Sequence, residues 1–140
     1  MTSQDRELRI QENVRYVDAV IHQLKQTYAV ADRVVYFGFS QGVGMACRAA
    51  LLGEHPPSGV MLLGGDIPPE FERVNRMSQV LIGRGTRDRL YTNDQFQHDA
   101  ARIRQSGMHI RICEFEGGHE FGDDYRKAAG DFLHNIGIAV

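Results

Sequence analysis

The sequence lacks the features that mark several large classes of protein. Its 140 residues include no tryptophan and only two cysteines, and 16 Lys and Arg nearly balance 18 Asp and Glu. A formal net charge of −2, without any basic cluster, gives no basis for nucleic-acid binding. No apolar run approaches the length of a membrane span, and the polar N-terminus does not resemble a signal peptide. We therefore expect no nucleic-acid partner and no membrane span.

The two cysteines form no recognisable metal or redox motif. Cys47 lies in a segment of small and apolar residues, and Cys113 lies in an apolar run typical of a strand. Neither has a C-x-x-C partner or a histidine at metal-ligand spacing, so we interpret both as buried, reduced thiols in a cytoplasmic protein without a metal site. With 42% hydrophobic and 24% charged residues, the chain has the composition of one globular domain, spanning residues 1–140.

Segments with two kinds of hydrophobic pattern alternate along the chain. Short apolar runs typical of buried strands occupy 33–39, 59–65, 79–85 and 109–115. Patterns typical of helices occupy 4–28, 43–52, 92–107 with Thr92 as N-cap and Gly107 as stop, and 125–136, and a short helix is compatible with 69–76. This alternation predicts an α/β fold with about four parallel strands, flanking helices and right-handed crossovers.

The stretch RVVYFGFSQGVG at 33–44 carries the most specific motif. A β-branched and aromatic run ends in G-x-S-x-G and passes into small residues, which predicts a strand, a sharp turn at Ser40 and a helix, the context of a nucleophile elbow. We expect Gly38 and Gly42 to be required because a Cβ at either position would collide with the neighbouring strand or helix. The backbone N–H of Gln41, at the helix N-terminus, would face a developing oxyanion. A tight turn with a capping serine is the alternative interpretation.

Polar residues follow each of the four predicted strands: Ser40, Asp66, Asp88 and His119. Because the carboxyl ends of parallel strands meet at one edge of a sheet, where ligands bind, we expect these side chains to converge. A serine nucleophile needs a base that is oriented by an acid, and Ser40, Asp88 and His119 occur in the order expected of an α/β-hydrolase. Asp66 is the alternative acid. We favour Asp88 because its loop follows the strand immediately before the helix that leads to the His119 strand.

The remaining histidines lie away from that edge, and we interpret them as solvated surface residues: His22, His55, His98, His109 and His134.

Four segments together resemble the phospholipase/carboxylesterase family of serine α/β-hydrolases, the group that includes acyl-protein thioesterases and small bacterial carboxylesterases. They are GFSQG at 38–42, LGGD at 63–66, LIGRGTRD at 81–88 and GGHE at 117–120, and they occur in register with the family. The resemblance implies hydrolysis of small-molecule esters or thioesters through an acyl-enzyme, without a cofactor, by Ser40, Asp88 and His119.

The resemblance does not extend to the front of the family fold. Family members carry further strands ahead of the first helix, and a loop among those strands supplies a second oxyanion-hole N–H. No segment between Met1 and Asp32 resembles this unit of strands and loop. We therefore expect a partial α/β-hydrolase fold in which the strand before Ser40 lies at an edge, one sheet face lacks a covering helix, and activity is low. Either the chain is a fragment or mis-started product, or another chain completes the sheet, and we expect a homo-oligomer through the exposed sheet edge or face. The alternative function is a weak or inactive hydrolase remnant that acts as an assembly module.

Overall fold

The computed structural model describes residues 2–72 and 79–138, which form one parallel sheet with helices on both faces. In chain order the elements are α1 (Ser3–Thr27), β1 (Val35–Phe39), α2 (Gly42–Leu52), β2 (Gly59–Leu63), a 3₁₀ turn (Pro69–Glu72), β3 (Gln79–Gly85), α3 (Asn93–Gln105), β4 (His109–Phe115) and α4 (Asp123–Asn135). The strand order is β1-β2-β3-β4, and each neighbouring pair is parallel. The predicted α/β class is confirmed. The helix considered at 69–76 begins as the 3₁₀ turn, and 73–76 lie outside the described residues.

Two helices begin with reciprocal side-chain caps. The Thr2 hydroxyl accepts a hydrogen bond from the Asp5 N–H at 3.1 Å, and the Thr92 hydroxyl accepts one from the Gln95 N–H at 3.4 Å. In each case the Asp5 or Gln95 side chain accepts from the backbone of the capping threonine, which satisfies donors that a helix start leaves open. The predicted stop of α3 is also confirmed, because Gly107 adopts a φ of 80°, which favours glycine.

Alternation along the strands divides the core into two layers. Strand residues on one face pack against α2, α3 and part of α1: Val60, Leu62, Val80 and Ile82. Strand residues on the other face pack against α4: Leu63, Leu81 and Phe115. The small residues Ala46, Ala49 and Ala50 let α2 approach the sheet closely, and all three are buried. The carboxyl ends of the parallel strands therefore lie together along one edge of the sheet.

The β1 edge of the sheet leaves apolar surface exposed. As predicted, β1 is an edge strand, with β2 on one side and no neighbour on the other among the described residues. On the α4 face, Phe37 of β1 remains 42% exposed, although its ring lies 5.4 Å from that of Phe121 and 6.1 Å from that of Tyr125. Within the described ranges α4 is the only helix packed on this face.

Candidate active site

Ser40 lies at a strained turn between β1 and α2. Its φ is 56°, and among the described residues no other non-glycine residue has a positive φ. Such a conformation costs of order 1–3 kcal/mol and persists only where the surroundings hold it. Here the Ser40 N–H donates to the Leu63 carbonyl at 2.8 Å, and the Val43 N–H donates to the Ser40 carbonyl at 3.1 Å. The predicted elbow geometry is therefore present.

The two glycines of the G-x-S-x-G motif have different roles. A Cβ on Gly38 would collide with the backbone of Gly42 and Val43, as predicted. The corresponding prediction for Gly42 is wrong, because among the described residues no atom outside its chain neighbours and its own helix backbone lies within 4 Å of the position that its Cβ would occupy. Gly42 is already the first residue of α2 and faces open space. Close packing therefore requires glycine at position 38 but not at position 42.

Three of the predicted residues form a continuous hydrogen-bonded chain. The Ser40 Oγ lies 2.9 Å from the His119 Nε2, and the His119 Nδ1 lies 2.8 Å from the Asp88 Oδ2. An ionised carboxylate can only accept, so Nδ1 carries the proton, and Nε2 is left to accept from the Ser40 hydroxyl. The Asp88 side chain is 1% exposed and that of His119 is 22% exposed. The arrangement can move a proton from the serine to an imidazole that is held by an anion.

The Asp88 carboxylate is buried but well supplied with donors. Its Oδ1 accepts from the backbone N–H groups of Leu90 and Tyr91, both at 2.9 Å. Burial by itself raises the pKa of Asp88, but the hydrogen bonds from the Tyr91 N–H, His119 and the Leu90 N–H together hold that pKa below its ordinary value of 3.8. Asp88 is therefore an anion throughout the neutral range, as an orienting acid must be.

The turn that carries Asp88 rests on a buried arginine that the sequence analysis missed. Arg84, at the end of β3, is 5% exposed. It donates to the backbone carbonyls of Tyr91 at 3.2 Å and of Thr86 and Asp88 at 3.4 Å, and it pairs with Glu114 at 3.3 Å. These hydrogen bonds hold together the backbone carbonyl groups of the turn that carries Asp88. The available signal was a charged residue inside an otherwise apolar strand run.

The two glycines of the LGGD segment after β2, Gly64 and Gly65, leave room for the loops that carry His119 and Ser40. Gly64 has a φ of 67°, and a Cβ there would lie 3.3 Å from the His119 ring. A Cβ on Gly65 would collide with the Ser40 carbonyl. Asp66, the alternative acid, is exposed, and the hydrogen bond described for it comes from Gln95 at 3.4 Å. The structure thus brings Asp88, and not Asp66, to His119.

The backbone N–H of Gln41 lies beside the nucleophile. Gln41 is the N-cap of α2, and among the described residues its N–H has no acceptor. A free N–H at a helix N-terminus favours nearby negative charge. Its role in an oxyanion hole remains a prediction.

The predictions that the other histidines are solvated and that both cysteines are buried are wrong in part. Four of the other histidines are exposed as predicted: His22, His98, His109 and His134. His55 is instead half-buried, and its buried Nε2 has no hydrogen-bond partner among the residues that the structure describes. Cys47 is buried, and burial raises the pKa of its thiol to about 12. Cys113 is only half-buried, because β4 is the second edge of the sheet.

A cleft of about 430 Å³ opens beside Ser40. Its walls come from the start of α2 and from the loop after β2, and include Gly44, Arg48, Asp66, Pro68 and Leu90. Among the described residues, no group of three or more His, Cys, Asp or Glu side chains could hold a metal ion. Within the same ranges, no helix is long and apolar enough to cross a membrane.

A comparison with models of protein families matches the phospholipase/carboxylesterase family over residues 1–109. The chain belongs to this family. The match includes Ser40 and Asp88 and ends before His119, so the place of His119 rests on the hydrogen-bond geometry. No curated protein sequence matches the chain.

Solved structures of hydrolases share the fold. SOBER1 from Arabidopsis thaliana superposes with a TM-score of 0.74 at 21% identity, covering 91% of this chain and 64% of that one. The Bacillus cereus carboxylesterase gives a TM-score of 0.76 at 17% identity, covering 97% of this chain and 64% of that one. Esterase PE8 gives 0.75 at 23% identity, covering 91% and 61%. This chain therefore spans less than two thirds of the length of these relatives, and it has part of their α/β-hydrolase fold.

Proposed function

We propose that this chain is a serine hydrolase that cleaves carboxylic esters or thioesters through an acyl-enzyme. The observation that carries the proposal is the hydrogen-bonded chain from the Ser40 Oγ through His119 to the buried Asp88 carboxylate. A strained turn presents Ser40 beside an open cleft, and the family is one of carboxylesterases. A cytoplasmic location remains a prediction from the reduced thiols.

In the proposed reaction His119 acts as both base and acid. The His119 Nε2 takes the Ser40 proton as the Oγ bonds to the substrate carbonyl carbon, and the carbonyl oxygen becomes an oxyanion that faces the Gln41 N–H. The protonated imidazole then gives its proton to the leaving oxygen or sulfur as that bond breaks. Water repeats the sequence on the acyl-enzyme. Asp88 holds the imidazole and stabilises its charge, and the proposal requires no cofactor.

Covalent labelling tests the nucleophile directly. We expect a fluorophosphonate probe to label the wild-type chain once and to leave Ser40→Ala unlabelled, because only a serine paired with an imidazole base becomes nucleophilic at neutral pH. Ser58→Ala is the matched control, since Ser58 is a half-buried serine outside the cleft, and it should be labelled like the wild type. Equal labelling of Ser40→Ala would refute the assignment.

The exposed edge supports a second candidate function, that of an assembly module. The β1 edge is unpaired in the described chain, and Phe37 and Phe121 are each 42% exposed beside it. Such an edge invites pairing with a second copy, most simply antiparallel about a two-fold axis. We expect light scattering to show a dimer that Phe37→Asp weakens and that Tyr16→Asp, at a 67% exposed aromatic residue of α1, leaves intact. A monodisperse wild-type monomer at micromolar concentration would count against this candidate.

A further inference from the structure

One arginine lines the cleft on the same side of α2 as the nucleophile. Ser40, Gly44 and Arg48 follow one another at intervals of four residues, and all three line the cleft. Because side chains on a helix lean toward its N-terminus, the guanidinium of Arg48 reaches back along this face. Its Nη1 lies 3.5 Å from the position that a Cβ on Gly44 would occupy. The guanidinium therefore lies about one turn, or roughly 6 Å, along the helix from the level of Ser40.

Gly44, which lies between Ser40 and Arg48, leaves the cleft open along this face of α2. With no side chain at Gly44, the described residues leave the cleft continuous from the Ser40 turn to the Arg48 guanidinium. The distance corresponds to a substrate chain of roughly five bonds between the scissile carbonyl and a group that contacts Arg48.

Arg48 is held in place by a buried carboxylate that it shares with another arginine. Its Nε lies 3.4 Å from the Glu70 Oε2, and the Arg6 Nη2 lies 2.9 Å from the Glu70 Oε1. The Glu70 side chain is 6% exposed. Burial alone raises the pKa of Glu70, but a bond from its own backbone N–H and the two arginines hold that pKa below the ordinary 4.5. Two cations therefore share one anion, and the group keeps a net charge of +1.

The positive charge that remains faces the cleft. Glu70 engages only the Nε of Arg48, and among the described residues the two terminal amino groups have no acceptor. The Arg48 side chain is 25% exposed. A planar guanidinium whose two terminal amino groups have no acceptor among the described residues matches the two oxygens of a carboxylate. Orientation by Glu70 lowers the entropy that this arginine loses when it binds an anion.

We propose that Arg48 binds a carboxylate carried by the substrate, about five bonds from the scissile carbonyl. The preferred substrates are then esters or thioesters whose acyl chain or leaving group ends in a carboxylate. A carboxylate fits better than a phosphate dianion, because the cleft offers one cation and is also lined by the acidic Asp66. This inference rests on the proposed hydrolase function and specifies its substrate class.

Two pairs of esters test the preference. On the acyl side the pair is 4-nitrophenyl hydrogen adipate and its methyl ester, and on the leaving-group side it is 4-acetoxybutanoate and its methyl ester. For at least one pair we expect the wild type to favour the free carboxylate by about 10- to 100-fold in kcat/KM, mainly through KM, as for a hydrogen bond between charged groups. In Arg48→Gln this ratio should fall to near one, and Arg48→Lys should restore part of it.

Arg6→Gln is the matched control. It removes a cation from the same Glu70 carboxylate but not from the cleft lining, so it should lower the substrate ratio much less than Arg48→Gln does. A wild-type ratio near one for both pairs, with the methyl esters still hydrolysed, would overturn the inference and leave the proposed function standing. A ratio that Arg6→Gln lowers as much as Arg48→Gln would also overturn it, because a diffuse field and not Arg48 would then select the anion.

Calorimetry with Ser40→Ala separates this inference from the proposed function. We expect monomethyl adipate to bind this variant more tightly than dimethyl adipate, and the added Arg48→Gln change to abolish the difference. That result with no ester hydrolysis by the wild type would support the carboxylate site and refute the hydrolase. Equal binding of both esters would refute the site. Inorganic phosphate displacing monomethyl adipate as effectively as adipate itself would refute the choice of a carboxylate.

Discussion

Replacing Asp88 with asparagine tests whether Asp88 or Asp66 is the acid that orients His119. In the structure the Asp88 Oδ1 accepts from two backbone N–H groups, and its Oδ2 faces the His119 Nδ1 at 2.8 Å. An asparagine can keep the first oxygen as an acceptor, but it then presents an NH₂ donor to Nδ1. The imidazole must place its proton on Nε2 instead. In that tautomer Nε2 cannot accept the Ser40 proton.

The expected loss of activity is large and the expected loss of stability moderate. The same change in a protease triad lowers kcat by about 10⁴, which corresponds to roughly 5.5 kcal/mol of activation free energy, and we expect a similar loss here. The free energy of unfolding should fall by about 1.5–3 kcal/mol, because the charge-assisted hydrogen bond to His119 is replaced by a neutral one and the two backbone donors exchange a charged acceptor for a neutral one. Folding should therefore survive the substitution.

The assay compares Asp88→Asn with Asp66→Asn. Ester hydrolysis and fluorophosphonate labelling rates are measured together with urea unfolding of both variants. Asp66 is exposed and bonds to Gln95, so its substitution should change turnover by less than about tenfold. If Asp66→Asn proves the more damaging change, the acid is Asp66 and the hydrogen-bond argument is wrong.

The lowered pKa of Asp88 adds a pH dependence to the same comparison. A carboxyl whose native pKa lies below its ordinary 3.8 stabilises the fold fully above that value, and the contribution is lost as pH falls through the native pKa. The difference in unfolding free energy between the wild type and Asp88→Asn should therefore be largest near pH 7 and shrink below about pH 4. A difference that stays constant down to pH 2 would show that the carboxylate charge is not what stabilises this turn.

Two further predictions concern the elbow and its oxyanion donor. Gly38→Ala should destabilise the fold by about 3 kcal/mol or more through backbone collision, whereas Gly42→Ala should stay within about 1 kcal/mol of the wild type; equal unfolding midpoints in urea would contradict this. The hydrolysis of 4-nitrophenyl butyrate should be slow even when active-site titration shows full labelling, because the Gln41 N–H is the one oxyanion donor that we propose among the described residues, and the lack of a second donor costs about 10²–10³ in turnover. Turnover typical of efficient esterases would show that a second donor exists.

Much of the fold could be predicted because its signals are local. The strand, the turn at Ser40 and the start of α2 follow from residues that are adjacent in sequence. The strands run parallel, as the alternation predicted, and Ser40, Asp88 and His119 meet because each follows the end of a strand. The order of the elements favoured Asp88 over Asp66 but could not decide between them, since both loops leave the same edge and the path of each loop determines which carboxylate reaches His119.

The interactions that the sequence analysis missed join distant parts of the chain. Arg6 and Glu70 are 64 positions apart, and Arg48 and Glu70 are 22 apart. Neither separation corresponds to a helix or strand period, so no pattern in the sequence pairs them. The error at Gly42 has a similar origin, because whether a Cβ collides depends on the packing of neighbouring chain segments and not on the motif.

Arg84 and Arg48 nevertheless share a signal that a sequence can show. Each is a charge inside an otherwise apolar element, and each would cost several kcal/mol to bury without partners. Such a residue must find acceptors, and the acceptors here are the carbonyls of the Asp88 turn for Arg84 and the Glu70 carboxylate for Arg48. The five donors of Arg84 are largely used within the fold, whereas the terminal amino groups of Arg48, beside the cleft, have no acceptor in the part of the chain that the structure describes. This difference is why Arg84 is assigned to holding the acid loop and Arg48 to binding a substrate.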